Sequence, residues 1–143
     1  MQITFKDSVL IVHFKGNKNR MNEVLDCISD AYEGAIRGRE GHNFPAEYIP
    51  ANHVLTQYRH KCKYVIGVYN GKSIAHELLH AKYYTDAGYA AQINSEWLAL
   101  AVGTRDYLTR FLKRLGYGDN VIIDEYQAYR YTEAPNFFGI RLE

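Results

Sequence analysis

The sequence predicts an α+β fold: an N-terminal mixed sheet with a covering helix, then a helix that carries a histidine pair, then two further helices. Three observations carry this. β-branched and aromatic runs crowd the N-terminal half, apolar residues recur at helical spacing through the rest, and no repeat or Pro/Gly/Ser-rich linker divides the chain. At 143 residues, with 47% hydrophobic and 23% charged, the chain suits one domain with a real core over residues 1–143 and excludes disorder.

Residues 3–5 and 9–14 flank Lys6-Asp7-Ser8 and predict a hairpin. Over residues 22–36, Val24, Leu25, Ile28, Ala31, Tyr32, Ala35 and Ile36 recur at three and four, which predicts an amphipathic helix with Gly38 as its stop. Gly41, Asn43, Pro45 and Pro50 make residues 41–50 read as a loop, and residues 51–61 show no clear pattern. Residues 63–69 favour a strand, closed by Asn70-Gly71, and Ser73 offers an N-cap to a helix over residues 74–86 with Gly88 beyond it. Residues 93–115 read as a long helical pattern, interrupted or weakened at Gly103 and ended by Gly116-Tyr117-Gly118. A shorter helix over residues 121–131 follows, and residues 137–142 suggest a final strand after Pro135.

A net charge of +1 gives no electrostatic case for nucleic acid as a partner, so Arg37, Arg39, Lys61 and Lys63 read as solvated surface. The thirteen tyrosines read as core residues with polar rims. Cys27 and Cys62 form no disulfide framework, and a reduced compartment is expected. The N-terminus lacks the pattern of a signal peptide and no stretch reaches membrane-spanning length, so the expectation is a cytoplasmic or otherwise soluble protein. His13, His42, His53 and His60 have no ligand spacing and are expected on the surface or in loops.

His76-Glu77-Leu78-Leu79-His80 is the stretch that carries chemistry. On a helix, residues four apart lie about 40° apart in azimuth and about 6 Å along the axis, so both imidazoles can reach one metal ion. Glu77 then stands beside the ion, where its carboxylate can take a proton from a water held by the metal. A catalytic site of this kind needs a third protein ligand, and since no histidine follows His80, a downstream ligand must be a carboxylate.

Four acidic residues compete. Asp86 has metzincin spacing, but Tyr83 stands where that arrangement needs glycine. Asp106 lies in Gly103-Thr104-Arg105-Asp106, similar to the GTxD of aspzincins, with Thr109 and Arg110 where tyrosine and glycine would follow. Glu96, 16 positions after His80, begins an E-x-x-A pattern, and Glu125 begins the same pattern 45 positions after His80. The residues alone leave the choice open.

With Glu125 in the set, the chain resembles compact gluzincins of the minigluzincin type, and its active-site half is similar in layout to the catalytic domain of anthrax lethal factor. The resemblance spans residues 62–133 and rests on the HExxH, two further helical segments, Tyr117-Gly118 shortly before the ligand, and Glu125 in E-x-x-A. It implies a zincin-like domain in which His76, His80 and Glu125 bind zinc, Glu77 is the general base and Tyr117 steadies an oxyanion. It also implies a peptide or protein substrate laid along residues 64–69 as the sheet edge; an interior strand there would bind none. The function expected is therefore a zinc metallopeptidase. The alternatives are a catalytically inactive zinc-binding regulatory or structural protein, and a helical protein whose His76, Glu77 and His80 hold no metal. A SprT-type site is disfavoured, because it needs a further histidine after His80. Oligomeric state is open.

Overall fold

The computed structural model describes residues 1–142 and is α+β with a mixed sheet, as expected. Strands β1 (Gln2–Lys6) and β2 (Val9–His13) form the hairpin, with Asp7 in the left-handed region at its turn. Helix α1 (Lys18–Glu33) follows, then β3 (His42–Pro45), β4 (Tyr64–Val68), α2 (Ile74–Thr85), α3 (Ala87–Ala99), α4 (Val102–Arg114) and α5 (Ile122–Thr132). The sheet order is β1-β2-β4-β3, with β2 and β4 parallel and the other pairs antiparallel.

Strand alternation divides the core into two faces. Leu10, Val12 and Val65 point to α1 and meet Met21, Leu25 and Ile28. Val9, Ile11, Ile66 and Val68 point the other way and are covered by Ala81, Ile74 and Leu78 of α2. A third cluster, built on Trp97, Leu108, Leu112, Tyr126 and Phe138, joins α3, α4 and α5 to the tail. Helix α5 packs directly on α2, and that contact assembles the site.

Several sequence expectations are corrected. Residues 41–50 contain an edge strand, β3, that Gly41 and Pro45 disguised; Asn43 pairs with Ile66 of β4, and Pro45 closes the strand at the sheet edge, where its missing N–H is tolerated. Residues 64–69 are consequently interior, and the edge beside α2 is β3. Helix α1 ends at Gly34 instead of Gly38, because residue 34 adopts φ 110° and a Cβ there would stand 2.2 Å from the Gly116 carbonyl oxygen. Gly88 lies inside α3, where Asp86 caps the start by accepting from the Tyr89 N–H at 3.0 Å.

The long helix of residues 93–115 is two helices, so three and not two helices follow α2. The break falls at Leu100 and Ala101, both extended, and Gly103 sits within α4. Trp97, Leu100 and Leu108 are all buried in one cluster across this break. No final strand forms at residues 137–142. Phe137 and Phe138 instead turn inward against Phe111, with Phe137 also stacked on Tyr129. No helix among the described residues is long and apolar enough to cross a membrane.

Candidate metal centre

Helix α2 carries His76 and His80 one turn apart, and α5 brings Asp124 and Glu125 to them in its own first turn. Free N–H groups and the helix dipole favour carboxylates at that position. The Nε2 atoms of His76 and His80 are 3.2 Å apart, and Glu125 Oε1 lies 3.8 Å from the first and 3.3 Å from the second.

Hydrogen bonding orients both rings. His80 Nδ1 donates to Asp124 Oδ1 at 2.8 Å. Thr132 spends its hydroxyl proton on the Ala128 carbonyl, so at 3.1 Å its oxygen accepts from His76 Nδ1. Each imidazole therefore turns its Nε2 toward the other and toward Glu125 Oε1, a buried oxygen with no hydrogen-bond partner. Ligand atoms about 2.0–2.1 Å from a tetrahedral ion are about 3.3–3.5 Å apart, so these spacings fit a metal ion. Without one, the charges do what they can: against the cost of burial, Asp124 and Glu125 push His80 well above the usual histidine range. Burial likewise opposes ionisation of Glu125, yet the two imidazoles hold its carboxyl below the usual range.

Ligand atoms of His76, Glu77 and His80 also lie within 4.8 Å of one another, a group that can itself hold a metal ion. Glu77 and Glu125 differ in what else they do. Glu77 is 4% exposed and its Oε1 accepts from Asn43 Nδ2 at 3.2 Å, while Tyr64 donates to Asn43 Oδ1 at 2.5 Å. A Cβ on Gly41 would sit 2.7 Å from Glu77 Oε2, so any larger residue there would displace the Glu77 carboxylate. Burial raises the Glu77 carboxyl above its ordinary range. Gln127, fully buried, steadies Asp124 by donating to its Oδ1 at 3.0 Å.

A cleft of 680 Å³ opens on this cluster, and His76, Glu77, His80, Glu125, Tyr117 and Tyr129 all line it. The Tyr117 and Tyr129 hydroxyls are 2.7 Å apart. Tyr117 is set by the chain between α4 and α5, which docks on the end of α1 through Gly118 N–H to Glu33 O and Asn120 Nδ2 to Tyr32 O, each 2.8 Å. A larger hollow of 860 Å³ beside the tail shares Tyr129 but has neither histidine nor carboxylate among its described lining residues.

The wall opposite α5 is the segment between α1 and β3, and Arg39 holds it. Expected on the surface, Arg39 is 5% exposed; its guanidinium donates to Asp26, Asp30, Glu33 and the Gly34 carbonyl. Glu33 Oε2 is buried without a partner, and burial together with the charge of Glu125 raises the Glu33 carboxyl well above its ordinary range. His42 is fully buried on β3, also against expectation. It accepts from Ser29 Oγ and donates to Asn22 Oδ1, each at 2.7 Å, as a neutral ring.

The other acidic candidates are engaged elsewhere. Asp86 caps α3 and Asp106 is exposed on α4. Glu96 accepts from Arg130 at 2.5 Å and from the Tyr126 hydroxyl at 2.8 Å, fastening α3 to α5. Sequence reasoning missed Asn43, Asp124 and Thr132. The last two had a signal: Asp124 directly precedes Glu125, and a position seven after a helical residue shares its face. Asn43 had none, because its strand was read as a loop. Comparison with protein-family models, with curated proteins and with solved structures found no match.

Proposed function

We propose that this protein is a zinc metallopeptidase, a hydrolase of the compact gluzincin kind, in which His76, His80 and Glu125 hold the ion and Glu77 is the general base. The reading is carried by the convergence of two Nε2 atoms and the unpartnered Glu125 Oε1 at the floor of a cleft, with a second carboxylate, Glu77, beside them. Two imidazoles and one carboxylate are a donor set that suits zinc and leaves a coordination position open.

A bound zinc ion supplies Lewis acidity, making water nucleophilic near neutral pH and polarising a carbonyl. Glu77 accepts the proton of the attacking water and delivers it to the departing amine nitrogen. Its burial supports that role, since a raised carboxyl is a better proton acceptor. The Tyr117–Tyr129 hydroxyl pair donates to the oxygen on which charge develops. The substrate in this reading is a peptide or protein segment lying in the cleft that opens on the cluster.

Metal analysis of the purified protein, combined with cleavage of a denatured-protein library by wild type and Glu77→Gln, tests this. The expected result is zinc in both and chelator-sensitive cleavage in wild type alone. Undiminished turnover by Glu77→Gln overturns the role of Glu77, and zinc without cleavage in either protein overturns the peptidase.

A further inference from the structure

We infer that Tyr129 presents the hydroxyl that meets the developing oxyanion, with Tyr117 behind it as a positioning residue; this rests on the hydrolase reading above. Tyr129 lies on α5 four residues after Glu125, hence on the same face of the helix. Its ring centroid is 4.6 Å from that of His76, and the ring also stacks on Phe137 at 4.6 Å with only 11° between planes. The phenol is thus clamped between a proposed zinc ligand and the tail, with little freedom to swing away. Tyr117 enters from the α4–α5 connection, and among the described residues its ring contact is with Tyr129, 6.2 Å between centroids.

The 2.7 Å contact uses one of the two hydroxyl protons and leaves the other free. When Tyr117 donates, the free proton belongs to Tyr129, and a hydroxyl that accepts one hydrogen bond is polarised to give a stronger one. Ring contacts agree with this order: Tyr129 lies against His76, whereas Tyr117 lies against Tyr129 and precedes Gly118, whose N–H donates to the Glu33 carbonyl at the end of α1. Tyr129 therefore stands toward the reacting side and Tyr117 toward the scaffold.

The test compares Tyr129→Phe, Tyr117→Phe and the double variant, each zinc-loaded, with thermal melting to confirm folding. Tyr129→Phe is expected to lower kcat by about 10²–10³-fold, the usual loss for one oxyanion donor, with KM nearly unchanged. Tyr117→Phe is expected to lose about tenfold, and the double variant no more than Tyr129→Phe, because Tyr117 acts only through Tyr129. Calorimetry with a phosphinic pseudodipeptide, which mimics the tetrahedral oxyanion, should show the same order of losses while competition with a chelator shows unchanged zinc affinity. A larger loss from Tyr117→Phe, losses that multiply in the double variant, or no loss from Tyr129→Phe overturns the assignment. A zinc-loaded wild type that neither cleaves peptide nor binds the phosphinate overturns the hydrolase reading itself, and this inference with it.

Discussion

Asn43 donates from Nδ2 to Glu77 Oε1 across 3.2 Å, joining the edge strand of the sheet to the proposed base on α2. Because side chains alternate along a strand, His42 and Phe44 face α1 while Asn43 faces α2. Tyr64 of β4 holds Asn43 from the other side, so the base is aimed by two neighbouring strands.

Removing this support should damage chemistry and spare the metal. Asn43→Ala is expected to lower kcat by about 10–100-fold, since a misplacement of about 1 Å carries losses of that size, with zinc content at the wild-type level. Gly41→Ala should act in the same direction, because its methyl group displaces the Glu77 carboxylate. Steady-state kinetics with parallel metal analysis checks both, and unchanged kcat in Asn43→Ala refutes the aiming role.

Glu125 and Glu96 share the E-x-x-A pattern and should fail in different ways. Glu125→Ala is expected to weaken zinc binding by about 100-fold or more, as a direct ligand should exceed the 10–100-fold typical of outer partners. Glu96→Ala should leave zinc affinity intact and cost about 1–3 kcal/mol of stability through the lost Arg130 and Tyr126 partners. Chelator competition and denaturant unfolding separate the two. A reversed order moves the third ligand to α3.

His42 predicts a pH dependence of folding. Burial first, and then the Arg39 charge, lower its pKa to about 3 from the ordinary 6.5. The unfolded chain then binds a proton that the folded chain refuses, so this contribution is intact above pH 6.5 and is lost as pH falls toward 3. The slope is about 1.4 kcal/mol per pH unit at most. Between pH 6.5 and 5 ordinary carboxylates scarcely titrate. Urea midpoints at pH 7 and pH 5 should therefore differ more for wild type than for His42→Gln, and equal differences exclude the effect.

Much of this was legible in sequence. The hairpin, β4, the span of α2 and the span of α5 follow from period-two and period-3.6 patterns that local sterics enforce. His76, Glu77 and His80 share one helix, so helical geometry alone joins them. Strand β3 was not legible: four residues bounded by Gly41 and Pro45 carry no periodicity, and they form a strand because β4 offers an unpaired edge. The α3–α4 break was sought at Gly103 and falls at Leu100 and Ala101, two residues that no Gly or Pro marks.

By itself, then, the sequence determined the α+β class, the HExxH helix and the requirement that a downstream ligand be a carboxylate, since each follows from neighbours along one chain or from which residues exist at all. Only the tertiary structure brings the first turn of α5 onto α2 and sets Glu125 Oε1 beside two imidazoles, while Asp86 caps α3 and Glu96 binds Arg130. It alone brings Asn43 to Glu77, Asp124 to His80 and Tyr129 to His76. Contacts between residues tens of positions apart are set by how apolar faces pack, and no local pattern encodes that distance.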